Sequence, residues 1–441
     1  MSRILQRKLT EPSEVALSGE GILLHLAGGR TVIDGSGGAA VACIGHGNRR
    51  VAAAMAEQAG RMAYAHTGFF TSEPAEALAD LLLGDEPGGL THAFFVSSGS
   101  EAMEAAIKLA RQYFIELGQP RRIRIIGRRQ GYHGTTLGAL SVGGHVARRA
   151  PYEPLLSTAF SKVSPCFAYH FQAPDESDAD YVSRLAAELE AEFQRLGPDT
   201  VAAFCAETVV GATTGCVAAV PGYFAAMRAV CDRYGALLVL DEVMCGMGRT
   251  GTVHAWEQEG VAPDIQAVAK GLGGGYAPVG GILVAGRIIA ALRAGSGGFM
   301  HGQTYQAHPV ACAAALEVQR IVGEQGLVEA AARQGAGLAG RLVERFGNHH
   351  QVGDIRGRGL FHALEFVEDR AGRTPFEPRC GIAEAVKQAA LERGLAIYPC
   401  TGTMDGVRGD HVIVAPPYTV SDGELDEIVD RLGAAVDAVF A

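Results

Sequence analysis

Between Ala236 and Gly275, two short apolar runs each end in a residue that a buried core would not choose. Ala236-Leu-Leu-Val-Leu240 stops at Asp241-Glu242. Asp264-Ile-Gln-Ala-Val-Ala269 stops at Lys270, with Gly271-Leu-Gly-Gly-Gly275 directly behind it. Runs this short and this apolar predict strands buried on both faces, as in a parallel sheet covered by helices. Such sheets keep their functional groups at the carboxyl ends of the strands. Asp241 and Lys270 are therefore expected to share a site. Lysine is scarce here: Lys8, Lys108, Lys162, Lys270 and Lys387 are the only ones among 38 Lys and Arg residues. An amine can form a Schiff base and can lose its proton when buried, and a guanidinium can do neither. The glycines after Lys270 read as slack that lets the amine move.

The rest of the chain supports an α/β sheet. Helices are predicted from Asn48 to Met62 and from Glu73 to Leu83, around an aromatic loop holding His66, Phe69 and Phe70. A strand at Ala93–Val96 leads into Ser97-Ser-Gly-Ser-Glu101 and a helix to about Leu117. Ser98 is its N-cap, Glu101 reaches back, and Ala102, Ala105, Ala106, Leu109 and Tyr113 form the buried face. Taken alone, this helix start fits a bound phosphate and an ordinary capped helix equally well. After the strand Ile123–Ile126, Gln130-Gly-Tyr-His-Gly134 sets Tyr132 near two glycines; by itself this is a packed ring before it is a cofactor platform. Residues 144–180 read as an irregular excursion. Strands Val201–Ala206, ended by Glu207, and Gly280–Ala285 complete the series, with the helix Asp178–Leu196 before the first and the helix Gly222–Tyr234 between them. One polar residue at a strand end is noise. Ser98, Tyr132, Glu207, Asp241 and Lys270 after successive strands define a site.

From Pro309 onward, helices Ala311–Val322, Leu327–Phe346, Gly381–Arg393 and Ser421–Val439 alternate with strands Leu360–Phe366 and His411–Ala415. The expected division is a large domain over 61–308 and a smaller α+β domain over 309–441, joined by residues 1–60. The 441 residues carry a formal charge of −10, which argues against nucleic acid as a partner. No run approaches the ~20 apolar residues of a membrane span, and the charged amino terminus is no secretory signal. Nine cysteines scattered singly predict free thiols in a reducing cytoplasm rather than disulfides or a zinc site. Gly271-Leu-Gly-Gly-Gly-Tyr276 only imitates a dinucleotide loop. No Walker A loop, His-Glu-x-x-His or Gly-x-Ser-x-Gly occurs. The dispersed histidines read as mostly structural.

A phosphate-type helix start, an aromatic near glycines, a strand-end acid and a strand-end amine would all be used by a phosphorylated pyridine aldehyde. At this point the chain resembles the class III, pyridoxal-phosphate-dependent aminotransferases of fold type I. The resemblance rests on Ser98-Gly-Ser-Glu-Ala102, Gly131-Tyr-His-Gly134, Ala206-Glu-Thr-Val-Val-Gly211, Asp241-Glu-Val243, Ala269-Lys-Gly271, His301-Gly-Gln-Thr304 and Arg356-Gly-Arg-Gly-Leu360. It implies a mainly parallel sheet flanked by helices plus a smaller α+β domain. It also implies Lys270 as Schiff-base lysine and acid/base, Asp241 on the pyridine nitrogen, and Tyr132 and Val243 on the two ring faces. Gly99 and Ser100 would bind the phosphate, and Glu207 would line the site. Thr304 would reach the cofactor phosphate of a neighbouring subunit in a homodimer or dimer of dimers.

Within that family, Ala206–Ala212, Pro221-Gly-Tyr223 and Gly409-Asp-His-Val-Ile-Val-Ala-Pro-Pro417 are similar to the ω-amino acid and amine:pyruvate branch. The implied partners are an amine donor and a 2-oxo acid acceptor. Ala40 stands where several of those enzymes carry a Trp, so a wider substrate pocket is expected around Ala40, Phe69 and Phe70. Arg408 lies about two positions out of register with their carboxylate-binding arginine and reads equally as a surface residue. Amino-group migration, decarboxylation-coupled transamination and a non-catalytic nucleotide-binding α/β protein are the competing readings.

Overall fold

The computed structural model describes residues 3–7, 9–10 and 13–441; Lys8 falls outside them. At its centre is a seven-stranded sheet. From edge to edge its strands are Leu90–Val96, Gly280–Ala285, Ile265–Val268, Leu237–Asp241, Val201–Glu207, Arg124–Arg128 and Phe160–Val163. Gly280–Ala285 runs antiparallel to both of its neighbours, and the other pairings are parallel. The ends at Val96, Arg128, Glu207, Asp241 and Val268 therefore open on one edge. The main surprise is Phe160–Val163. It lies in the stretch expected to be irregular, and its Phe-Ser-Lys-Val sequence lacks the apolar run of an inner strand because it sits at the sheet edge.

Both faces of the sheet are buried, and side chains alternate between them at the strand period of two. Leu238, Leu240, Phe204 and Ala206 pack in one core with Leu189 and Phe193 of the helix Asp178–Leu196 and Phe224 of the helix Tyr223–Tyr234. Leu237, Val239, Ala203, Cys205, Ile265 and Ala267 pack in another with Ala102, Ala105, Ala106 and Leu109 of the helix Gly99–Glu116. Asp241 and Glu207, which are in register, continue the second set. Glu242 follows the parity of the first.

Two further four-stranded sheets and a two-stranded pairing of Val209–Val210 with Val217–Ala218 complete the sheets among the described residues. One orders Ala16–Glu20, Leu23–Leu26, Thr31–Asp34 and Leu395–Ala396, so the amino-terminal strands pair with one from the carboxyl-terminal region. The other orders Val352–Arg358, Phe361–Phe366, Asp410–Val414 and Tyr398–Thr401. Helices Leu327–Phe346 and Asp422–Phe440 share a core with it through Leu338, Leu342, Leu364, Val412 and Leu432. All nine cysteines are free thiols. No helix among the described residues is long and apolar enough to cross a membrane.

Candidate active site

A cavity of about 340 Å³ opens at the edge where the parallel strands end. Lys270, Asp241, Glu207, Tyr132, Gly99 and Ser100, all singled out from sequence, line it together, and so does Val243. Lys270 follows Ala269 at the exit of its strand, in the left-handed region at φ +44°, where a non-glycine residue is strained. The loop behind it is not slack. Gly273 and Gly274 N–H groups donate to the Lys270 carbonyl, and Gln319 Nε2 donates to the Gly271 and Leu272 carbonyls at 2.9 Å each. Burial lowers the Lys270 amine below its ordinary range, against the opposing pull of the Asp241 and Glu207 carboxylates.

Asp241 is held at both oxygens. Its Oδ2 lies 2.8 Å from His133 Nδ1, and its Oδ1 accepts from the Val243 N–H at 3.0 Å. Burial opposes the charged form of His133, yet Cys205 and the hydrogen-bonded Asp241 outweigh it and hold the imidazole well above its usual range. Sequence reading missed His133, although it lies within the Gly131–Gly134 block, because a lone histidine carries no signal until the fold brings an acid to it. Glu207 accepts from the Tyr132 N–H at 3.1 Å and the Gly211 N–H at 3.0 Å. Burial and the neighbouring Asp241 push its carboxyl up, while His133 opposes them. Glu242, one residue from Asp241, faces the opposite core. It accepts from Thr208 Oγ1, Gln266 Nε2 and the N–H groups of Ala255 and Trp256 at 2.7–2.9 Å.

The helix start is shaped for a small anion. Ser98 Oγ caps the Glu101 N–H, and Glu101 reaches one residue further back than expected, to the Ser97 N–H at 2.7 Å. First-turn N–H groups at Gly99 and Ser100 have no intrahelical partner. A Cβ on Gly99 would lie 2.7 Å from Val243 Cγ1. A Cβ on Gly134 would lie 2.6 Å from Ser100 Oγ, and Gly134 also has φ +134°. Glycine keeps this cradle open at both positions.

Tyr132 forms one wall. Its hydroxyl accepts from Arg148 Nη1 at 3.0 Å, and that guanidinium sits 4.6 Å from the ring centroid. Arg148 lines the cavity and was not anticipated, because it lies in the stretch read as irregular.

The expected substrate residues are placed elsewhere. Ala40 is only 2% exposed and packs with Val209, Cys245 and Ile413; its φ of +59° turns it into that core, and Ala39 and Val41 line the cavity instead. Arg408 pairs with Asp405 at 2.7 Å, away from the cavity wall. Phe69 and Phe70 are 80% and 66% exposed, and Thr304 is exposed, none of them on this cavity. A larger cavity of about 880 Å³ is lined in part by Lys162, whose amine burial lowers to about 7. Lys162 is spent on the Ser141 carbonyl at 2.7 Å and has no strand-end acid or glycine cradle beside it.

Residues 7–436 match the family model described as aminotransferase class-III. An uncharacterized aminotransferase of Schizosaccharomyces pombe is 50% identical over 422 residues, covering 96% of this chain and 92% of that protein. A thermostable (S)-enantioselective omega-transaminase from Thermomicrobium roseum superposes with a TM-score of 0.92 at 39% identity, covering 98% of this chain and 94% of that one. The omega transaminase from Pseudomonas jessenii in complex with PMP gives 0.91 at 32% identity, covering 97% and 93%. The chain belongs to the class III aminotransferases, with the fold of the type I transaminases. It is a transaminase.

Proposed function

We propose that this transaminase uses pyridoxal 5'-phosphate to move an amino group from an amine or ω-amino acid to a 2-oxo acid such as pyruvate. The observation that carries this reading is the placement of Lys270, Asp241 and the Gly99–Ser100 helix start on one cavity. The residues fit the group: the glycine-kept cradle suits a phosphate, and the buried amine and the strand-end acid suit an aldehyde carbon and a pyridine nitrogen. Gly99 and Ser100 would hold the phosphate, Asp241 the ring nitrogen, Tyr132 and Val243 the two faces, and Lys270 the aldehyde carbon. Bound there, the cofactor supplies an electron sink for the carbon that loses its proton.

The chain's own groups do the rest. Lys270 Nζ, kept below the ordinary lysine range by burial, accepts and returns the substrate proton. His133 and the Val243 N–H fix the direction of the Asp241 carboxylate. Glu207 ties the Tyr132 backbone to the end of the neighbouring strand. Thr304, exposed on its own chain, would complete the phosphate site of a second copy in a homodimer. The small Ala39 and Val41 on the wall favour bulkier amines. Cytoplasmic residence and the domain division 61–308 against 309–441 with 1–60 belong to the same reading; the pairing of Thr31–Asp34 with Leu395–Ala396 supports the latter.

A screen of amine donors against pyruvate and other 2-oxo acids tests the reaction. Stoichiometric amino acid without carbon dioxide is the expected result. Failure with every 2-oxo acid overturns the reading, and carbon dioxide release would point to the decarboxylating alternative.

A further inference from the structure

A 2-oxo acid brings a carboxylate into the cavity, and a carboxylate entering a partly dry site needs a cation or a fork of N–H donors. Arg408, the arginine expected from sequence, is paired with Asp405 and lies off the cavity. The arginines that line the cavity are Arg148 and Arg7. Arg148 sits on the short helix Val146–Arg149, half-buried, with its guanidinium over the Tyr132 ring and one donor on the Tyr132 hydroxyl. Among the described residues no carboxylate pairs with it. Its neighbour Arg149 is consumed by the carbonyls of Leu140, Ser141 and Gly143 and by Glu153.

Nor do the cavity's acids neutralise Arg148. Asp241 is engaged by His133 and the Val243 N–H, and Glu207 by the N–H groups of Tyr132 and Gly211. A guanidinium has five N–H donors, so four remain after the bond to Tyr132. Stacking on the ring holds the fork in place before a ligand arrives, which reduces the ordering cost of binding. The loop that carries Arg408 is seated against this helix: a Cβ on Gly406 would lie 2.4 Å from Val146 Cγ2. The helix of Arg148 thus touches that loop through Val146 and the cavity through Arg148.

We propose that Arg148 is the residue that binds the carboxylate of the 2-oxo acid acceptor, with Tyr132 holding it in position. Arg148 thereby sets specificity for α-keto acids over uncharged aldehydes of the same length. The proposal rests on the transaminase reading of this cavity.

The test compares pyruvate with propanal as acceptors, using one amine donor that lacks a carboxylate, in the holoenzyme. Charge-assisted hydrogen bonds of about 1.5–3 kcal/mol correspond to roughly 10- to 150-fold in specificity. Arg148→Gln is expected to lower the ratio of kcat/KM for pyruvate to that for propanal by this factor, mainly through KM for pyruvate. Arg148→Lys should restore part of it. A ratio within twofold of wild type in Arg148→Gln overturns the proposal, as does the same drop for both acceptors, which would mean a purely structural role through Tyr132. A larger change of ratio in Arg7→Gln than in Arg148→Gln transfers the assignment to Arg7 and overturns it equally. Wild-type turnover with propanal reports on the transaminase reading separately; its absence with both acceptors takes down both.

Discussion

His133 Nδ1 lies 2.8 Å from Asp241 Oδ2, with the imidazole fully enclosed and the carboxylate 5% exposed. The other oxygen of Asp241 is bound to the Val243 N–H, so the carboxylate is fixed by one side chain and one backbone group. A carboxylate held this way is already aimed at the ring nitrogen proposed to face it, where it would keep that nitrogen protonated and the ring able to accept electrons, and preorganised electrostatics of this kind are worth about 10²–10³ in rate. Asp241→Asn is expected to lower kcat by that range, with a normal circular-dichroism spectrum. His133→Asn should cost less, because Val243 still orients the acid. Near-native turnover in Asp241→Asn would show that the carboxylate does not face the ring nitrogen.

Glu242 illustrates how one step along a strand changes a residue's work. It receives four donors in the core beside Trp256. Glu242→Gln turns an NH₂ group toward some of those donors and is expected to cost about 1–3 kcal/mol of stability. Burial pushes the Glu242 carboxyl up to about 7 from the usual 4.5. With the folded value above the unfolded one, its contribution is full below pH 4.5 and is lost as pH rises through 7. The lead in Tm of wild type over Glu242→Gln should therefore be larger at pH 5 than at pH 8. A lead that grows with pH would contradict this.

Gly134 and Ser100 meet so closely that a methyl group cannot enter. Gly134→Ala would place its Cβ 2.6 Å from Ser100 Oγ and 2.8 Å from Ser100 Cα, in a backbone region that alanine avoids. Strain of about 1–3 kcal/mol at the cradle should raise the dissociation constant for pyridoxal phosphate roughly 5- to 150-fold. Cofactor titration of the apoenzyme, monitored by absorbance, measures it. Affinity within twofold of wild type would place the phosphate elsewhere.

The Lys270 amine has a depressed pKa from burial, partly offset by the negative charges of Asp241 and Glu207. In cofactor-free protein, its rate of modification against pH should therefore inflect below 10.5. Asp241→Asn removes one of the charges that raise it, so the inflection should move lower still. An upward move would contradict the electrostatic account.

Much of the site was legible because its residues break local rules. Asp241, Glu207 and Lys270 end apolar strands, and Gly99 and Ser100 open a helix whose cap is written in Ser98 and Glu101. What stayed hidden depends on tertiary contact. His133 needs the Asp241 strand two positions away in the sheet, and Arg148 needs the Tyr132 ring. Ala40 turns into the core through a positive φ that is invisible in sequence at a non-glycine position, and its neighbours Ala39 and Val41 line the cavity. The edge strand Phe160–Val163 escaped because an edge needs no continuous apolar run.

The central claim is that Lys270, and not another amine, carries the covalent chemistry. Borohydride reduction of the coloured holoenzyme, followed by peptide mapping, tests it most directly. A single pyridoxyl group on Lys270, with loss of the label and of activity in Lys270→Ala, is the predicted result. A label on Lys162, or a reducible chromophore that survives in Lys270→Ala, would contradict the account.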